Sequence, residues 1–376
     1  MIDRRRLILS GLAGTSLALT PRFAFATADT DRRFIFIIQR GAADGLGILA
    51  PVGDPAFASA RGDLAANALS GAKLDGLFTL HPQMTASAAL FRQKQAAFYH
   101  AIASGYRERS HFDGQNLLET AGTRPYGRDD GWMNRLLSLL PKGESKALAL
   151  ATAIPPALRG PVSVSSYAPS RLPDANAALM ERVAMLYAED AQLAPLWTSA
   201  TQTEAMAGGI DPSAGRGGVA AGKLVASLMA GADGARIAMV ETGGWDTHIN
   251  QEGRLGTALK GVDELVDTLR TELGPVWAKT LVLVATEFGR TVHVNGTRGT
   301  DHGTASAAML FGGGLAKGGK IIADWPGLSP SQLYEGRDLK PTMRFENMVI
   351  AALSAHYGID PERLRRTVFP DFPDMS

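Results

Sequence analysis

Phe34-Ile35-Phe36-Ile37-Ile38 followed by Gln39-Arg40-Gly41-Ala42-Ala43-Asp44-Gly45 decides the fold. The five apolar residues do not alternate with polar ones, so they read as a strand covered on both faces. The small residues after them let the backbone bend sharply and approach a ligand. Four similar runs follow, at Ala97–His100, Ile237–Val240, Leu281–Val284 and Ala308–Phe311. Helical spacing separates them. Leu255, Leu259, Val262, Leu265, Val266 and Leu269 make one apolar face, with Lys260, Asp263, Glu264 and Asp267 expected to face outward. Phe345, Met348, Val349, Ala352 and Leu353 make another such face. Strands alternating with helices predict an α/β fold, a doubly wound, mainly parallel sheet between helical layers. The Gly-, Ala- and Ser-rich stretch from Ala205 to Gly222 reads as a surface loop within one domain spanning residues 27–376.

The chain opens with Asp3-Arg4-Arg5-Arg6-Leu7-Ile8, a mildly apolar run to Leu19, and Ala24-Phe25-Ala26. Paired arginines, a short apolar stretch and an Ala-x-Ala site predict a twin-arginine signal over residues 1–26, cleaved before Thr27 and directing the protein to the periplasm. The apolar run falls short of the roughly 20 residues that span a bilayer. Cleavage leaves 34 basic against 36 acidic side chains, which argues against nucleic acid as a partner. No later segment reads as a membrane span. Cysteine is absent, so the exported domain rests on its core alone.

In open α/β sheets, ligands gather at the carboxyl ends of the strands. Arg40 and Asp44 follow the first strand, and Ser110 and His111 follow the second at the start of a helix. There, Ser110 either caps the helix or serves as a nucleophile. Gly243-Gly244-Trp245-Asp246-Thr247-His248 follows the third strand, with Asn250 four residues after Asp246. Glu287-Phe288-Gly289-Arg290 follows the fourth, and Gly299-Thr300-Asp301-His302-Gly303 precedes the fifth. Asp, Glu and His at such positions bind divalent cations or move protons. Gly314–Lys320 has phosphate-loop spacing, but Ile321 stands where a magnesium-binding hydroxyl belongs.

These segments, with Leu80-His81-Pro82, Arg109-Ser110-His111-Phe112-Asp113 and Gly131-Trp132, resemble the exported, sulfatase-like family called domain of unknown function 1501, in the alkaline phosphatase superfamily. The resemblance implies a bimetallic site that hydrolyses phosphate or sulfate esters. It places Ser110 near the nucleophile, Asp246 near a metal-binding aspartate and His302 near a late metal-binding histidine. Asn250 falls on a further ligand position, for which His248 is the available substitute. The chain departs from the pattern at Gln39-Arg40, where a metal-binding aspartate is usual, and at Glu287-Phe288, where Asp-His is usual.

The expectation is therefore a periplasmic hydrolase with at most one well-made site for a divalent metal ion. Ser110 is the candidate nucleophile. Asp246, His248 and His302 are the candidate ligands, with Glu287 and Asp44 as further carboxylates. Arg40 or Arg290 would clamp an anionic ester substrate. The competing expectation is a non-catalytic protein that uses the same pocket to bind a ligand or a protein partner.

Overall fold

A computed structural model describes residues 31–141, 147–167, 177–190, 193–207, 217–232 and 234–372. The expected signal segment lies outside them. Among the described residues, nine strands form the main sheet. They are β1 (Arg33–Gln39), β2 (Ala96–Ala103), β3 (Ala147–Leu150), β4 (Ser165–Ser166), β5 (Ile237–Thr242), β6 (Thr280–Thr286), β7 (Ser306–Phe311), β8 (Lys320–Ile322) and β9 (Met343–Arg344). Their order is β8-β2-β7-β6-β1-β5-β3-β4, with β9 also on β2. All pairings are parallel except those of β7, which runs antiparallel to both β2 and β6. The sheet is thus mainly parallel, and all five apolar runs are strands in it.

β1 sits near the middle and is buried along its whole length. Ile35 and Ile37 enter one core and Phe34, Phe36 and Ile38 the other, so successive side chains fill opposite faces. On the first face lie α1 (Thr85–Arg92), α3 (Gly218–Ala230) and α4 (Gln251–Leu273); α2 (His111–Thr120) starts at the sheet's edge. On the second lie the helix Trp132–Leu137, α5 (Phe345–Tyr357) and the helix Pro361–Val368. Trp132 is fully buried against Phe34 and Phe36.

The apolar face of α4 is the one its spacing predicts. Asp263, expected outside, is instead buried. Its carboxylate accepts from the Ala86 and Ser87 amides and the Ser87 hydroxyl. These amides open α1 and have no partner inside their own helix, so a carboxylate reaching across from α4 satisfies them. Asp263→Ala strands them in the interior and is expected to cost about 1–3 kcal/mol, read by chemical denaturation.

The predicted loop Ala205–Gly222 is also corrected. Its start belongs to the helix Leu193–Ala207 and its end to α3, with residues 208–216 outside the described chain. Gly218 and Gly222 are buried against α4, where a Cβ would strike the Gly261 carbonyl and Thr268. Their small size serves helix packing rather than flexibility.

Topology brings the polar clusters together. Gln39 is level with Thr242 on one side and Thr286 on the other, so β1, β5 and β6 end side by side. β7 is reversed, so its amino end lies at that same edge, as expected of the Asp301-His302 loop.

Candidate metal centre

His111, Asp246 and His302 each offer a ligand atom, and these atoms lie within 4.8 Å of one another. His248 joins them, with its Nε2 2.9 Å from Asp246 Oδ1 and 3.1 Å from His302 Nε2. His302 Nε2 is 3.3 Å from the same carboxylate oxygen. His111 Nε2 is 3.5 Å from the other, buried and with no hydrogen-bond partner.

The opposite nitrogen of each ring is held by an oxygen. His111 Nδ1 lies 2.9 Å from Glu287, His248 Nδ1 2.9 Å from Asp301, and His302 Nδ1 3.0 Å from the Arg109 carbonyl. A carbonyl or ionised carboxylate can only accept, so each Nδ1 carries the proton. In the neutral rings every Nε2 is then a bare lone pair, and three of these face one carboxylate. Lone pairs converging on a negative charge repel, and only protons or a cation relieve that. Outer acceptors that fix the tautomer of ligating histidines are a recurrent feature of metal sites. The donor set of imidazole nitrogens and one carboxylate fits a borderline divalent cation such as zinc.

Local electrostatics follow. Burial pushes Glu287 up, but bonds from His111, Gln115 and Gly41 outweigh it and hold its carboxyl below the ordinary value. The Glu287 hydrogen bond raises His111 in turn, against desolvation. His302 is lowered, first by burial and then by the charge of His111. Burial raises Asp246, yet the Arg290 hydrogen bond and charge leave it low.

Glu287 is buried and accepts at Oε1 from the Gly41 and Ala42 amides, Gln115 and His111. Gly41 has φ +120°, where a side chain would be strained, and a Cβ there would sit 2.8 Å from the Asp246 nitrogen. Glu287 thus stands behind His111 rather than in the cluster. Arg290, its side chain fully buried, donates to Asp246 at 2.9 Å and to Thr300. This guanidinium therefore faces a protein carboxylate. Arg40 is ion-paired to Glu119 and Glu241, with bonds of 2.8 and 2.6 Å.

Asp44 lies outside the group. It caps the short helix Gly45–Ile48 and takes bonds from Arg61 and Gln251. Gln251 also accepts from Thr247 and Thr300, so Asp44 acts through it on the two loops that carry Asp246 and His302. Asn250 lies outside the cluster and accepts from Arg298.

Ser110 takes the N-cap position of α2, but its side chain makes no capping bond. Its amide donates to the Tyr106 hydroxyl. Both of its neighbours touch the cluster, Arg109 through its carbonyl and His111 through its ring. Phe288 is buried against the rings of His111 and His302, with centroids 5.2 and 5.4 Å away. His111 was not among the expected ligands. Its signal was the spacing of His111 and Gln115, one turn apart on α2 and both bonded to Glu287. An open cavity of about 800 Å³ borders the Asp246–His248 loop, lined by residues including Gly243, Gly244, Arg254 and Arg298. None of the four clustered residues lines it, so it adjoins the centre without containing it.

Residues 31–368 match the model of a family described as a protein of unknown function, DUF1501. The chain belongs to the DUF1501 family. No curated protein matches its sequence. Similar solved structures include the zinc-complexed C-terminal periplasmic domain of EcEptC from Escherichia coli, at 9% identity over 93% of this chain and 90% of that one, TM-score 0.43. Alkaline phosphatase from the Antarctic bacterium TAB5 is similar at 12% identity over 79% and 95%, TM-score 0.38. A protein in the alkaline phosphatase superfamily from Vibrio parahaemolyticus is similar at 10% identity over 86% and 72%, TM-score 0.36. No helix among the described residues of this DUF1501 protein is long and apolar enough to cross a membrane.

Proposed function

We propose that this DUF1501 protein is an exported hydrolase of phosphate or sulfate esters that works with one divalent metal ion. The observation that carries the reading is the convergence of three imidazole Nε2 atoms on Asp246, each ring anchored through Nδ1. When bound, such an ion polarises an ester oxygen and neutralises charge that develops on it. His111, His248, His302 and Asp246 would hold it, and Arg290 would fix the carboxylate's direction. Ser110 would attack the phosphorus or sulfur atom from the start of α2, where the helix dipole favours an anion. The bond to the ester's alcohol would break, the alcohol would leave with the serine proton, and water would then displace the serine oxygen to release phosphate or sulfate. Phe288 fills the space beside His111 and His302 with an apolar ring, which favours a single metal.

The test is the metal content of the purified protein and its turnover of aryl phosphates, phosphodiesters and aryl sulfates, beside Ser110→Ala and His302→Ala. One ion per chain is expected, with turnover abolished by either change. Absence of metal together with no turnover above the variants overturns the reading. Export is tested separately: Arg5 and Arg6 changed together to lysine should leave uncleaved protein in the cytoplasm, while the wild-type chain begins at Thr27.

A further inference from the structure

Arg109 is a non-glycine residue in the left-handed region, with φ +62°, immediately before Ser110. Its carbonyl accepts the His302 Nδ1 proton at 3.0 Å. Its side chain reaches the other way. Nε lies 2.9 Å from Asp338 Oδ2, and Nη2 lies 2.8 Å from the same oxygen and 2.6 Å from Glu335. Asp338 is fully buried and also accepts from Thr304, two residues after His302. The next residue back, Arg337, donates to the His302 carbonyl at 2.6 Å. The turn that bears them is closed by paired backbone bonds between Tyr334 and Asp338.

A left-handed conformation disfavours any residue with a Cβ, so it persists only where the surroundings enforce it. Here the contact that holds it is a half-buried ion pair, in which two donors of Arg109 meet one oxygen of the buried Asp338 on a turn far along the chain. Releasing it would let the Arg109 peptide relax, and its carbonyl would then turn away from His302.

We propose that Arg109 and Asp338 are positioning residues: the pair holds the Arg109 peptide so that its carbonyl fixes His302 with the proton on Nδ1 and Nε2 directed into the cluster. The same peptide leads into Ser110, so one contact sets both. This rests on the metal-centre reading above, but its first readout needs neither metal nor substrate.

The experiment is nitrogen-15 NMR of the histidine rings in metal-free protein, with zinc affinity by competition and thermal melting alongside. Arg109→Ala, Arg109→Gly and Asp338→Asn are compared with wild type. Wild-type His302 should show a protonated Nδ1. In Arg109→Ala and Asp338→Asn the signal should shift toward a protonated Nε2, and the zinc Kd should rise about 10-fold or more, as for other lost outer contacts of a metal-binding histidine. Arg109→Gly should keep more of the Nδ1-protonated form than Arg109→Ala, because glycine adopts positive φ without strain. Asp338→Asn preserves shape and covers the case in which the Arg109 variants fail to fold. If the His302 tautomer stays wild-type in every folded variant, the proposal is overturned, whatever happens to melting temperature. If wild-type protein binds no zinc yet the tautomer shifts as described, the metal reading falls and the positioning role stands.

Discussion

Asp246→Asn is expected to abolish tight metal binding and, with it, ester turnover. Asp246 is the one carboxylate in the cluster, contacted by His248 at 2.9 Å, His302 at 3.3 Å and His111 at 3.5 Å. Without its charge, three imidazole nitrogens remain, a set that binds cations but cannot offset their charge. Loss of an outer-shell partner costs roughly 10- to 100-fold in affinity, so loss of a direct ligand should exceed that. Asparagine is the informative replacement. Alanine would also strip the partner from Arg290, whose side chain is fully buried, and a stranded buried charge destabilises by about 3–5 kcal/mol. Asparagine keeps an oxygen that can accept from Arg290. Calorimetric titration with zinc and a melting curve separate the two effects. Wild-type affinity in a folded Asp246→Asn protein would remove Asp246 from the ligand set.

Glu287→Ala should be strongly destabilising, by about 1–3 kcal/mol for each buried donor it leaves without a partner. Its Oε1 accepts from two backbone amides, Gln115 and His111, and its Oε2 from Thr286. Removing it strands the Gly41 and Ala42 amides and frees His111 to rotate, so metal affinity should fall as well, by roughly 10- to 100-fold. Urea unfolding of metal-free protein measures the first effect. An effect below about 1 kcal/mol there would contradict the hydrogen-bond network.

The pair also sets a pH dependence. Glu287 is lowered from 4.5, so its contribution is fully present above that value and is lost as pH falls through the lower folded-state pKa. His111 is raised from 6.5, so its contribution is present below 6.5 and is lost as pH rises through the higher folded-state pKa. Metal-free protein should therefore gain most from the pair between about pH 4.5 and 6.5. Metal binding needs the His111 Nε2 lone pair, so zinc affinity should climb as pH rises through that raised value. Unfolding free energies and zinc titrations across pH 4–9 check both slopes.

The sheet was legible because its central strands are apolar on both faces, which leaves one reading for Phe34–Ile38 or Leu281–Val284. Asp246, His248 and His302 were legible because polar clusters beside such strands must meet at an edge. His111 was harder to see. A residue beside a candidate nucleophile is not usually aimed at the same point, and only the start of α2 turns this ring toward Glu287. Asp263, Asp338 and Arg109 were out of reach, since each depends on a partner more than 170 residues away. Spacing along the chain carries no trace of such pairings. Glu287 meets the same limit, since its partner His111 lies 176 residues away, while Arg290, expected to clamp a substrate, is instead taken up by Asp246.

The reversal of β7 has a further consequence, for the order in which the site assembles. Because β7 runs back beside β6, Glu287, Arg290, Asp301 and His302 share one connection whose two ends are fastened to adjacent strands. Pairing of those strands closes this loop and removes most of its conformational freedom before any ion arrives. The Asp246–His248 segment is tied to this connection by its backbone, with the Thr300 amide donating to the Thr247 carbonyl and the Asn250 and Gln251 amides to the Thr297 and Arg298 carbonyls, whereas the start of α2 reaches it through the Arg109 carbonyl and the His111 ring. Cation binding should therefore slow hydrogen exchange mainly around residues 109–113, with the amides of Asn250, Gln251 and Thr300 already protected.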